Sequence, residues 1–206
     1  MNILILGATG RVGSHILESA LDGNHHVTVL VRDADKVQAQ NRNLIVKEGN
    51  VLTRSDILNA IAGMDMVISA LGTDGTTTLS ESMPAIIKAM EDEGIERIIT
   101  IGTAGILNSR TESGKLRYQS NESKRRTTRA AKEHHKAFEL LENSSLDWTI
   151  VCPTYLPDGK HTSKYRIERD FLPEKGEMIS VPDTAEFTYN QIAENRYVKA
   201  RVGIAY

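Results

Sequence analysis

Cysteine is all but absent from this chain. Cys152 is the only one in 206 residues, which excludes an internal disulfide framework and fits a reducing compartment. Long apolar runs are missing too: none approaches the ~18 residues of a membrane-spanning helix, and no basic and apolar leader opens the sequence. A cytoplasmic location with no membrane partner is therefore expected. Neither sign of charge dominates, because 25 Lys and Arg face 27 Asp and Glu, and a net charge of −2 gives no general attraction to nucleic acid. The histidines are scattered and sit at no zinc-ligand spacing with the lone cysteine, so no metal is expected. Neither a G-x-S-x-G nucleophile elbow nor an internal repeat occurs.

What remains is ordinary for a globular protein. Hydrophobic residues make up 40% and charged residues 25%, and the length fits a single domain over 1–206 with a sizeable core. The most informative stretch opens the chain, M-N-I-L-I-L-G-A-T-G-R-V-G. Residues 3–6 are too few for a helix and too uniformly apolar for a half-exposed strand, which describes a buried parallel strand. Gly7, Gly10 and Gly13 follow, and then Ile16, Leu17, Ala20 and Leu21 recur at helical spacing. In such a strand, glycine turn and helix, glycine permits unusual backbone angles, close approach of a ligand and tight helix packing. Amides without partners at the helix start favour an anion such as a pyrophosphate. Gly7, Thr9, Gly10, Arg11, Val12 and Gly13 are thus expected to hold a dinucleotide.

The alternation continues along the chain. Strands are expected at 26–31, 44–46, 66–71, 97–101 and 148–151. Helices are expected through Ile57, Leu58 and Ile61, over 80–93 with Pro84 near the first turn, and through Ala130, Ala137, Phe138 and Leu141. Six apolar strands separated by helices imply an α/β fold with a doubly wound parallel sheet. Beyond residue 153 the pattern becomes irregular. Residues 165–168 alternate, 178–181 form a short run, Asp183 is placed to cap a helix through Phe187 and Ile192, and 202–206 read as a last strand. By analogy, this segment of about 153–206 is expected to build a pocket wall on the substrate side.

In a dinucleotide fold the residue ending the second strand separates the cofactors, since a carboxylate holds the ribose 2′-hydroxyl and an arginine accommodates a 2′-phosphate. Arg32 has that position, with Arg11 and Lys36 adding positive charge. NADP(H) is therefore expected over NAD(H), although Asp33 leaves NAD open. Strand ends at the carboxyl edge of the sheet line the ligand crevice. Asn50 and Val51 would flank adenine, Ala70, Leu71 and Gly72 the ribose and pyrophosphate, and Thr103, Pro153, Thr154 and Tyr155 the nicotinamide. Thr103 either hydrogen-bonds a substrate or carboxamide or caps its own loop. His134 shares a helix face with Ala130, Ala137, Phe138 and Leu141, and serves either proton transfer or as a core histidine bonded to a backbone carbonyl. Lys124, Arg125, Arg126, Arg129 and Lys132 form a basic run that reads as a solvated helix face.

Taken in order, these motifs resemble the atypical short-chain dehydrogenase/reductases, in particular the biliverdin reductase B-like or flavin reductase-like NAD(P)-binding group, which is related to the NmrA-like proteins. The carriers are G-A-T-G-R-V-G at 7–13, V-L-V-R-D at 29–33, G-N-V-L at 49–52, A-L-G-T at 70–73, L-D-W-T-I-V-C-P at 146–153, and L-P-D-G with K-Y-R-I between 156 and 167. The resemblance implies a Rossmann-fold oxidoreductase that uses NADPH to reduce a planar small molecule such as a flavin, quinone or tetrapyrrole. By position it implies Thr103, His134 and Tyr155 as catalytic residues. A monomer or homodimer is expected.

The sequence also departs from the family pattern. The Y-x-x-x-K pair of ordinary members is missing, and its helix positions hold Ala131 and His135. Alcohol dehydrogenation by the common route is therefore not expected. Asn50 stands where an aspartate is frequent, and Cys152 where an arginine is frequent. The missing pair also supports an alternative, a non-catalytic NADP(H)-sensing regulator of the NmrA-like type.

Overall fold

A computed structural model describes residues 1–73, 75–123 and 127–206, so Lys124, Arg125 and Arg126 of the basic run lie outside the described residues. Three strands open the chain, β1 (Asn2–Leu6), β2 (His26–Val31) and β3 (Leu44–Glu48), followed by β4 (Met66–Ser69), β5 (Arg97–Ile101) and β6 (Asp147–Pro153). Two more come from the irregular segment, β7 (Arg166–Arg169) and β8 (Ala200–Ala205). They form one sheet in the order β3-β2-β1-β4-β5-β6-β8-β7, parallel except where β7 runs antiparallel to β8. β1 pairs with both β2 and β4, so the strand order reverses beside it, and ligands of such sheets bind at that point.

The helices are α1 (Arg11–Asp22), α2 (Arg54–Ile61), α3 (Thr78–Asp92), α4 (Arg129–Glu142) and α5 (Val181–Asn190). Alternation along β1 sends Leu4 and Leu6 to the face covered by α2, α3 and α4, with Ile57, Met83, Phe138 and Leu141. Ile3 and Ile5 go to the face covered by α1 and α5, with Ile16, Leu17 and Phe187. Both faces of the central strands are thus buried, which is why they read as unbroken apolar runs. β3 is an edge strand instead, and Ile45 is 57% exposed. Among the described residues no helix is long and apolar enough to cross a membrane.

The doubly wound sheet agrees with the sequence, and several details differ. No helix separates β2 from β3; a single 3-10 turn, Ala34–Lys36, does the work, capped by Asp33, whose Oδ1 accepts from the Asp35 amide at 3.1 Å. The polar residues after it carry no apolar period to bury. β4 ends at Ser69, before Leu71, because residue 70 turns under the glycine loop. α3 starts at Thr78, so Pro84 lies inside the helix and not in its first turn. The cap of α5 is Ser180, whose Oγ accepts from the Asp183 amide at 3.2 Å. Residues 178–181 form no strand of their own; Met178 makes a parallel bridge to Tyr155.

Two buried groups join β6 and β8 to their surroundings. Arg201 in β8 is 8% exposed, donates through Nη1 to the Ile106 carbonyl and through Nη2 to Asn108 Oδ1 at 2.9 Å, and lies over the Phe138 ring. Cys152 in β6 is fully buried, and that burial pushes its thiol up to about 12.

Candidate functional site

At the β1 end the site is made of backbone. Gly7 takes a φ of +77°, and a Cβ added there would sit 2.6 Å from the Ala70 carbonyl oxygen. A Cβ on Gly13 would lie 2.0 Å from the Gly7 oxygen, so only glycine lets α1 pack so tightly against the turn. α1 carries no side-chain cap and no acidic residue in its first turn. The amides of Arg11, Val12 and Gly13 have no backbone acceptor among the described residues. This is a cradle with donors and a positive helix end and no anion of its own. Gly10 and Thr9 are exposed at its rim.

Arg32 is exposed at the end of β2 and makes no hydrogen bond or ion pair among the described residues. Asp33 beside it is committed to its cap and to Lys36, 3.3 Å from Oδ2. Arg11 is engaged by the segment after β6: its Nε donates to Asp158 Oδ1 at 2.8 Å and its Nη2 to the Leu156 carbonyl at 2.8 Å. Asn50 is exposed but closes its own turn by accepting from the Leu52 amide at 3.0 Å, while Val51 is buried in the core. Ala70 and Leu71 are half-buried under the glycine loop, and Gly72 is exposed.

At the tips of β5 and β6 the site is a cavity of about 730 Å³. Thr103, Thr154 and Tyr155 line it from the strand ends, Tyr118, Glu122 and Ala131 from one side, and residues 172–177 from the other. Thr103 does cap its loop, accepting weakly from the Gly105 amide at 3.4 Å, which leaves its O–H to donate. Pro153 is buried beneath, and Tyr155 is 60% exposed over the opening. Arg117 and Glu122, both nearly buried, form an ion pair in the wall.

A family model described as NAD(P)H-binding matches residues 7–195, from the glycine cradle through the cavity to α5. The chain belongs to the NAD(P)H-binding family. This NAD(P)H-binding protein is 31% identical over 175 residues to the uncharacterized protein YwnB of Bacillus subtilis, covering 82% of this chain and 80% of that one. A Bacteroides thetaiotaomicron structure, described as a candidate epimerase, is 26% identical with a TM-score of 0.84 over 100% of this chain and 96% of that one. A Streptococcus pneumoniae structure, described as a candidate NADH-flavin reductase, has a TM-score of 0.82 at 24% identity over 100% and 99%, a likeness of fold alone. The chain spans about a third of the length of the plant reductases that it also matches. The motif resemblance to atypical short-chain dehydrogenase/reductases agrees with these findings.

His134 does not join the others. It is half-buried in α4 and outside the cavity lining, and it makes no hydrogen bond to a backbone carbonyl among the described residues. Burial pulls its imidazole down to about 4 against the smaller opposing pull of Glu133, so it is neutral near pH 7. The histidine tied to the site is its neighbour His135, itself outside the cavity lining, whose Nδ1 is 2.9 Å from the hydroxyl of Tyr118. Tyr118 was not legible beforehand; its only signal is an aromatic ring within a polar segment.

Asp183, Glu186 and His161 also lie together, within 4.8 Å. Asp183 Oδ1 accepts from the amides of Thr162 and Ser163, and Oδ2 from the hydroxyls of Thr162 and Tyr206 at 2.6 Å each. Burial alone would raise this carboxyl; those hydrogen bonds outweigh it and bring it down to about 2. The group locks the wall segment to α5.

Proposed function

We propose that this protein is an NADPH-dependent reductase that passes hydride to a planar small molecule such as a flavin, quinone or tetrapyrrole in the cytoplasm. The observation that carries the reading is the cavity at the tips of β5 and β6, on the same edge of the sheet as the glycine cradle. Its volume, about 730 Å³, suits a ring system of that class.

The amides of Arg11, Val12 and Gly13, with Gly7, Thr9 and Gly10, would hold the pyrophosphate, and Arg32, unpaired among the described residues, the 2′-phosphate. Asn50 and Val51 would meet adenine, Ala70, Leu71 and Gly72 the ribose, and Thr103, Pro153, Thr154 and Tyr155 the nicotinamide. The bound nicotinamide supplies the hydride. Thr103 orients through its free O–H, and the exposed Tyr155 ring offers a flat face at the opening. Residues 1–206 act as one domain in which 153–206 supply the cavity wall.

Stopped-flow absorbance with NADPH and either FMN or menadione tests this. Acceptor-dependent oxidation of NADPH is expected. Tight NADPH binding with no oxidation by either acceptor overturns the reading in favour of a cofactor sensor.

A further inference from the structure

The cavity wall holds a tyrosine, backed by a histidine, that the motifs do not anticipate. Tyr118 sits in a 3-10 turn, Arg117–Gln119, within the segment between β5 and α4, and its side chain lines the cavity. A Cβ placed on Gly105 would lie 3.1 Å from Ala131 Cβ, 3.5 Å from Tyr118 Cβ and 3.6 Å from Thr103 Cγ2. Tyr118 therefore packs around the same glycine as Ala131 and Thr103, beside the tip of β5. Its oxygen is 2.9 Å from His135 Nδ1 and accepts from the Gln119 side-chain amide at 3.2 Å.

His135 is held as a proton carrier needs to be. It sits one helical turn after Ala131, edge-on to Tyr118 with centroids 5.7 Å apart, and it stacks on Phe138 at an interplanar angle of 21°. Its other nitrogen, Nε2, is 3.7 Å from Glu139 Oε1, an exposed carboxylate on the solvent side of α4. One nitrogen thus meets the hydroxyl of Tyr118 and the other lies beside an exposed carboxylate.

We propose that Tyr118 is the proton donor of the cavity and that His135 is the positioning residue that recharges it, so that acceptors are those needing a proton on oxygen, such as a quinone. The inference rests on the reductase reading above. Two-electron reduction of a quinone takes one hydride, which the bound nicotinamide supplies, and one proton. The Tyr118 O–H bond breaks as its proton moves to the acceptor oxygen. The phenolate left behind takes the Nδ1 proton of His135 as a hydronium ion of the solvent protonates Nε2, so the ring stays neutral, and exchange of the ring proton with solvent returns the Nδ1–H tautomer. This requires the tautomer with its proton on Nδ1, in which His135 donates to the Tyr118 oxygen and the phenol O–H is free to point into the cavity. The pair takes over from the absent Y-x-x-x-K, with the tyrosine moved from the helix to the loop.

Two measurements test it. Nitrogen-15 imidazole spectra of the cofactor-free protein are expected to show His135 protonated on Nδ1, and Tyr118→Phe to shift it toward Nε2. A wild-type His135 protonated on Nε2 overturns the proposal. With NADPH and menadione, Tyr118→Phe is expected to lower kcat roughly 100-fold with the KM for NADPH unchanged. His135→Phe, which keeps a ring against Phe138, should lower it about tenfold, with partial recovery in added imidazole. A kcat for Tyr118→Phe within about twofold of wild type overturns the proton-donor role and leaves the reductase reading standing. Absence of turnover in the wild type overturns the reductase reading, and the spectra still decide the state of the pair.

Discussion

The β1 end of the ligand edge is built from backbone, while the β5 and β6 end is built from side chains on loops. At the first, amides and carbonyls set the shape, and a Cβ on Gly7 or Gly13 would fall within 2.6 Å of a neighbouring oxygen. At the second, the walls are held by side-chain links such as the Arg117 to Glu122 ion pair, Arg201 to the Ile106 carbonyl, and Asp183 to Thr162 and Tyr206. A backbone cradle has one solution and tolerates no added atom. A side-chain wall has many, so related chains can keep the first and rebuild the second.

The comparison breaks most readily at Gly13. Gly13→Ala should cost about 3 kcal/mol or more through overpacking, seen as a fall in Tm of roughly 6 °C or more, and NADPH binding by fluorescence titration should be lost. An unchanged Tm would mean that the cradle is not sterically determined. Next is Arg32, which the proposed function assigns to the 2′-phosphate. Arg32→Ala should weaken NADPH by roughly tenfold to 100-fold, the size of a lost charge-assisted contact, and NADH by little. Equal losses for both cofactors would remove the NADP assignment.

The side-chain end should be the one that acid loosens. Asp183 is near 3.8 unfolded and about 2 folded, so its contribution is complete above about pH 4 and disappears as pH falls toward 2. That contribution is about 2 kcal/mol. Denaturant melts across this range should lose it, and Asp183→Asn should flatten that part of the profile. Smallest is the link between the two ends, the exposed Arg11 to Asp158 pair. Arg11→Gln should shift stability by under about 1 kcal/mol, and a larger shift in Tm would show the ends to be coupled.

The same contrast explains what could be foreseen. The strand, glycine turn and helix of residues 2–22 were legible because their causes are local: an apolar run, glycines at fixed intervals and a helical period. The position of Arg32 just after β2 was legible because a strand end has a fixed place in the fold. The part of the cavity wall between β5 and α4 was not, because residues 102–128 carry no period, and those of 102–123 are held by polar partners; Ser109 and Arg117 both reach Glu122. His135 was not legible for a related reason. Apolar neighbours put His134 on the inner face of α4, but the buried partner one residue earlier is Glu133, held by Ser80 Oγ at 2.7 Å and Lys136. His135 reaches the site only because a loop brings Tyr118 to it, and helical spacing carries no information about that loop.

Cys152 has a consequence of its own. It lies at 0% exposure in the strand shared by the parallel sheet and the rebuilt wall, and its thiol titrates only at about 12. A maleimide or disulfide reagent can therefore reach it only in molecules whose cover over that sheet face, which carries Ile106 and Phe138, has opened. The chain carries a single internal clock for that opening, one that counts its frequency without any added probe disturbing the ligand edge.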